Sequence, residues 1–198
     1  MKSILLLPLI ILFSLNSHAQ KSVAKVIAPM ERWQLSAEFN SWVEKLSITD
    51  NLGATQDSKA SYYGFGVGVE KNFHHATWGW GIGGGIASGS AVGGDKSAGL
   101  NYFEARVPWM AFRITPRVFY RLGPKVDLGF DLNTYMKNVN WSSGSSGNMT
   151  VQSGSKMISG GFIDLRARVS ERFEYMQSFG MVYKDETMYW RVGLAYRM

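Results

Sequence analysis

Residues 33–40 read Trp-Gln-Leu-Ser-Ala-Glu-Phe-Asn, setting Trp33, Leu35, Ala37 and Phe39 on one side and Gln34, Ser36, Glu38 and Asn40 on the other. A period of two places successive side chains on opposite faces of a β-strand, so a chain that keeps repeating it must build paired strands with one apolar and one polar face. The pattern does repeat. At about 61–71, Tyr63, Phe65, Val67 and Val69 oppose Gly64, Gly66, Gly68 and Glu70; at about 76–87, Trp78, Trp80, Ile82 and Ile86 oppose Thr77 and a row of glycines. From about 101 to 121 the apolar positions are first odd (Phe103, Ala105, Val107, Trp109) and then even (Met110, Phe112, Ile114, Val118, Tyr120). A β-bulge near Pro108 is expected to reset the phase. Pro116 is a misfit within this strand, because proline cannot donate to a ladder and a closed sheet has no edge to hold it.

Four further strands are expected at about 125–137, 156–169, 173–183 and 190–198, with Val126, Leu128, Phe130 and Leu132 against Asp127, Gly129, Asp131 and Asn133 the clearest of them. Long polar stretches at 44–60, 88–101 and 138–155 read as loops, and short turns fall around 71–75, 122–125 and 170–172. The link at 184–187 is brief and breaks this alternation. Long connections at one end and short ones at the other are the rhythm of a barrel that crosses a membrane. The expected fold is therefore all-β, an eight-stranded antiparallel transmembrane up-and-down β-barrel over residues 32–198.

Two further features bound the reading. Met1 to Phe13 is a short cationic start followed by an apolar run, and Ser17-His18-Ala19 supplies small residues at a cleavage position, so 1–19 is expected to be a signal peptide and 20–31 a periplasmic N-terminal segment. No later stretch approaches the ~20 apolar residues of a spanning helix. The absence of cysteine removes disulfides and thiolate chemistry, and the net charge of +6 is scattered without a dense basic run, which argues against nucleic acid.

Which face looks inward decides between a soluble and a membrane barrel. An eight-stranded interior is barely wide enough for ordinary side chains, so it cannot enclose all the large aromatics. The polar set fits better: Arg113, Arg117, Arg121, Arg166, Arg168, Arg191 and Arg197 would share the lumen with Glu38, Glu70, Asp127, Asp131, Asp164 and Glu174, reaching over inward glycines. Buried charges are tolerated when paired, so these residues are expected to form an internal ion-pair network. Trp33, Trp78, Tyr120 and Tyr196 then become candidates for interfacial girdles.

The final residues, Arg191-Val192-Gly193-Leu194-Ala195-Tyr196-Arg197-Met198, resemble the terminal signal by which outer-membrane proteins are recognised for barrel assembly. Arg191 stands at its polar position, Gly193 at its glycine, and Tyr196 and Met198 at its hydrophobic pair, with Met198 in place of the usual Phe. The chain as a whole resembles the small eight-stranded group of OmpA transmembrane domains, OmpX and OmpW-like proteins. That resemblance implies the cell outer membrane, contact with lipid and lipopolysaccharide, and the barrel-assembly machinery as a partner during biogenesis.

For function, the first expectation is a structural or surface-interaction barrel that is not an enzyme and needs no cofactor, its surface-loop partner unnamed. A narrow channel or carrier for small or hydrophobic compounds is the alternative. Two relatives of this architecture modify lipid A using a histidine near the outer rim, but His74 and His75 fall in an inferred periplasmic turn and read as solvated. The run Gly81-Ile82-Gly83-Gly84-Gly85 lacks the Lys-Ser/Thr and helix of a phosphate loop and reads as packing. Two adjacent histidines without cysteine give no basis for a metal site.

Overall fold

Pairing along the strands closes the sheet on itself. The structure, a computed structural model, describes residues 30–49, 53–93, 105–141, 150–152, 157–183 and 188–198; the expected signal peptide lies outside them. The strands are β1 (Met30–Thr49), β2 (Thr55–His74), β3 (Trp78–Gly93), β4 (Ala105–Arg121), β5 (Val126–Val139), β6 (Thr150–Gln152), β7 (Met157–Arg168), β8 (Phe173–Val182) and β9 (Met188–Arg197). All pairings are antiparallel, and β9 returns to β1 from Gln34↔Arg197 to Trp42↔Tyr189, so eight strands form a closed up-and-down barrel. The short β6 is a ninth element, outside the wall, that extends the sheet by pairing Ser47, Ile48 and Thr49 of β1.

One end of the barrel carries the short turns 75–77, 122–125 and 169–172 together with Met30 and Met198; we term it the turn end and the other the loop end. The β1–β2 hairpin reaches far beyond the sequence expectation. Most of 44–60 is strand, paired in register from Met30↔His74 to Thr49↔Thr55, and residues 71–74 belong to β2 rather than to a turn. At ~3.4 Å per residue a 20-residue strand spans roughly 65 Å, about twice the 9–11 residues that cross a bilayer.

A single inversion of polarity explains why this hairpin was missed. In the turn-end half of β1 the outward residues are Trp33, Leu35, Ala37 and Phe39 and the inward ones Gln34, Glu38 and Asn40; beyond Ser41 the inward side becomes Trp42, Leu46 and Ile48 while Lys45 and Ser47 face out. The strand keeps its geometry and exchanges its solvents. β4 does the same. Val107, Trp109 and Ala111 point inward in one phase with Arg113, Thr115 and Arg117, so the strand runs through Pro108 without the expected bulge. The apparent phase change was the exchange of an apolar interior for a polar one.

Pro116 faces outward and costs part of one ladder. The β4–β5 pairing lapses at Thr115 and Pro116 and resumes at Arg117↔Asp131 with the offset it had at Ile114↔Thr134, while Ile82↔Pro116 persists on the β3 side. Across the gap the Thr115 hydroxyl donates to Asn133 Oδ1 at 2.6 Å, a side-chain bond where the backbone has none.

Candidate functional site

The lumen is built in three layers. In the middle layer Arg113 pairs with Glu38, Arg117 Nε lies 2.7 Å from Asp164, and Arg166 grips Glu70 with two nitrogens at 2.8 Å each while its Nε lies 2.8 Å from Asp164. Arg191 Nη2 lies 2.8 Å from Asp131. Inward alternation on β1, β2, β4, β5, β7 and β9 delivers these eight side chains to one level, and glycines on neighbouring strands make room: a Cβ on Gly68 would stand 3.0 Å from an Arg113 nitrogen, one on Gly129 3.0 Å from Arg117 Nε. Asp131 and Asp164 are wholly buried. Desolvating such pairs offsets most of their Coulomb attraction, so the layer specifies one packing more than it adds stability, whereas removing one partner strands a charge.

Neutral polar groups complete this layer. Ser178 donates to Asp164 Oδ1 at 2.6 Å and accepts from Arg191 Nη2 at 2.6 Å; Gln34 Oε1 accepts from Asn72 at 3.0 Å and from Arg166 at 2.8 Å. Gln34, Asn72, Asn133 and Ser178 were not singled out from the sequence, although each sits on the polar side of its strand. Alternation carried that signal; charge alone was the wrong filter.

The remaining expected network residues lie at the turn end and are joined more loosely. Arg121 Nε is 3.7 Å from Asp127 and Arg197 Nε 3.8 Å from Glu174, whose other oxygen accepts from Gln34 Nε2 at 2.6 Å. Arg168 has no carboxylate within ion-pair distance among the described residues. Arg32, which fell at the edge of the expected strand, joins this end and lines the same cavity as Arg168. His74 is not a solvated turn residue: it points inward, accepts from Arg121 Nη2 with Nδ1 at 3.2 Å, and packs edge-on against Phe119 at 5.0 Å. His75 stacks on Trp78 at 4.2 Å.

The loop-end layer is aromatic, and the sequence reading missed it. Trp42 stacks on Tyr62 at 4.7 Å and on Tyr189 at 5.5 Å and meets Trp109 edge-on at 4.8 Å; Tyr62 also meets Trp141, and Phe162 meets Tyr189. Lys137 pairs with Glu44 inside this layer, its ammonium 4.7 Å from the Tyr62 ring centre. Tyr189 donates to Asn40, and the Tyr135 and Tyr189 hydroxyls bond to each other. Gly64 is required here, because a Cβ would stand 2.7 Å from the Trp109 ring.

Outside, Leu35, Phe65, Val67, Ile82, Ile86, Phe112, Ile114, Phe130, Leu132, Ile163, Phe179 and Leu194 are exposed on successive strands around the whole wall. Trp33, Trp78 and Tyr120 lie exposed at the turn end, where Trp78 pairs across the ladder with Tyr120 and Lys71 sits 5.7 Å from the Trp33 ring. Tyr196 is half-buried at the same end and meets Phe173 edge-on. These four residues form one girdle, not two. A belt of that extent is stable only against hydrocarbon.

A closed antiparallel barrel with a charged interior, an apolar belt and an aromatic girdle is an integral transmembrane β-barrel. Solved structures to which the chain is similar include Ail of Yersinia pestis, in complex with the heparin analogue sucrose octasulfate, at 14% identity and TM-score 0.45 over 85% of this chain and 100% of Ail; OprG of Pseudomonas aeruginosa at 12% and 0.48 over 86% and 97%; and the neisserial surface protein NspA at 11% and 0.42 over 84% and 96%. At these identities the likeness is one of fold. No protein-family profile and no curated protein sequence matches the chain.

Proposed function

We propose that the protein is a closed outer-membrane barrel whose role is structural and surface-directed, with the loop end outside the cell. The path of the β5–β7 connection carries this reading. In the barrel order β5 stands opposite β1, yet the connection leaving β5 seats Trp141 against Tyr62 and then pairs as β6 with the end of β1 before returning to β7. Its described parts, Trp141 and β6, therefore stand on the β1–β2 side of the mouth, at the end of the barrel that holds the aromatic layer. Planar-bilayer recording of the purified protein should show no discrete conductance; stable single-channel steps from the unaltered protein would refute the closed reading.

The loop-end extension supplies the surface. Lys45 and Lys59 are exposed and stand directly opposite each other in the β1–β2 ladder, with Asp57 the single acid two residues along the same face of β2, and exposed Arg106 holds the Tyr63 hydroxyl two strands away. Above the apolar belt the abundant anions are lipopolysaccharide phosphates, and these cations suit them. The carrier reading draws on a lipid-facing groove of about 710 Å³ where Gly84 and Gly85 leave a gap among Leu35, Val67, Ile86 and Phe112. Its floor is continuous ladder on both sides of β3, so it seats an acyl chain against the wall and gives no passage through it.

We also propose that Arg191, Gly193, Tyr196 and Met198 serve barrel assembly. Arg191 points into the middle layer, while Tyr196 and Met198 present apolar surface at the turn end of the closing strand. In cells, Tyr196→Ser should lower the heat-modifiable, folded fraction on gels, and Met198→Phe should preserve or raise it.

A further inference from the structure

We infer that the turn end of the barrel carries a binding site for a phosphate-class oxyanion. The middle layer of the lumen is balanced: Arg113, Arg117, Arg166 and Arg191 are met by Glu38, Glu70, Asp131 and Asp164. Below it the balance fails. A cavity of about 630 Å³ opens between the start of β1, the β4–β5 and β7–β8 turns and the end of β9, and Arg32, Lys125, Arg168 and Arg197 line it with Glu171 as the one acidic side chain of the lining.

The protein meets these cations only in part: Arg32 donates to the weak acceptor Met30 Sδ at 3.2 and 3.0 Å, and Arg197 Nε lies 3.8 Å from Glu174. Arg32 and Arg168 have no carboxylate within ion-pair distance among the described residues. Arg197 is 7% exposed, and both its Nε and its Nη2 are buried without a hydrogen-bond acceptor, as is Nε of Arg168. Residues 20–29 contain no Asp or Glu.

A buried guanidinium N–H without an acceptor is costly, and a planar fork of donors is best satisfied by two oxygens of one tetrahedral or carboxylate group. The volume leaves room for a phosphate with a small substituent. Two sources share this chemistry at the periplasmic face: a free phosphate or phosphomonoester, and the headgroup of a phospholipid in the adjacent leaflet.

The test is calorimetric titration of the folded protein in dodecyl maltoside micelles with inorganic phosphate, repeated with dihexanoyl phosphatidylglycerol. Saturable phosphate binding that falls at least tenfold in Arg32→Gln/Arg168→Gln, and is unchanged in Ser47→Ala at the far end, supports the site. Tighter binding of the lipid with displacement of phosphate assigns it to a headgroup, and binding of phosphate without displacement assigns it to the free anion. Should the double variant fail to fold, Arg32→Lys/Arg168→Lys keeps the charge and removes the fork, and binding should fall several-fold. Absence of saturable binding by both probes, or binding equal in the unaltered protein and the variants, overturns the inference.

Discussion

Asp164 shows how much a single side chain organises. Its oxygens lie 2.7 Å from Arg117, 2.8 Å from Arg166 and 3.6 Å from Arg191, and Ser178 donates to it at 2.6 Å. Replacing it by Ala leaves three guanidinium groups in a wholly buried layer short of one counter-charge. Asp164→Ala should therefore lower the unfolding free energy in detergent by about 3–5 kcal/mol, read as a lower urea midpoint, because breaking a buried pair costs more than the pair contributes. Pro116 is the opposite case. Its ring is exposed on the outer face of the wall, and its missing N–H opens the β4–β5 ladder over two residues. Pro116→Val should restore one backbone bond and raise stability by about 0.5–1.5 kcal/mol, read as a higher urea midpoint.

At the scale of elements, the eight strands were legible because outward apolar and inward polar residues alternate wherever the wall crosses the bilayer. The lipid-facing strips of β5, β7 and β8 were read within a few residues of their ends. What escaped was the part of β1–β4 beyond the membrane, where Trp42, Trp109 and their neighbours are inside and Lys45, Lys59 and Arg106 outside. A sliding alternation sees this exchange as a break in phase or a loop, since the period is unchanged and only the sign of the solvent contrast has reversed. Leu46, Ile48 and Ala60 stand at even positions within 44–60, in phase with Trp42 before it and Tyr62 after it, and that phase would have been enough to continue both strands. The inversion also locates the membrane surface. Cysteines introduced one at a time should react with a membrane-impermeant maleimide on intact cells at Lys59 and Ser47 and stay unreactive at Phe65 and Ile114; labelling at Phe65 comparable to Lys59 would move the boundary and undo the two-solvent account.

For the whole molecule, closure is the step on which everything else depends, and it rests on the nine-pair seam between β1 and β9, shorter than the ladder β1 makes with β2. Gly193 lies in that seam opposite Glu38, and a Cβ there would come within 2.9 Å of Glu38 Cα and Cβ, with the Ala37 carbonyl nearer still. Backbone cannot yield as a flexible side-chain tip does, so a branched residue must push the strands apart. The same glycine sits in the proposed assembly signal, and two explanations of its presence predict different experiments. If Gly193 serves only recognition by the assembly machinery, Gly193→Val will refold from urea into detergent micelles as well as the unaltered protein. If it serves the seam, refolding without any machinery will fail or fall severalfold, judged by the heat-modifiable band, and Glu38 and Arg113, which meet just inside the seam, will lose their pairing with it. The structure favours the second outcome: the obstructing atoms belong to β1 itself, and they are in place before any partner is considered.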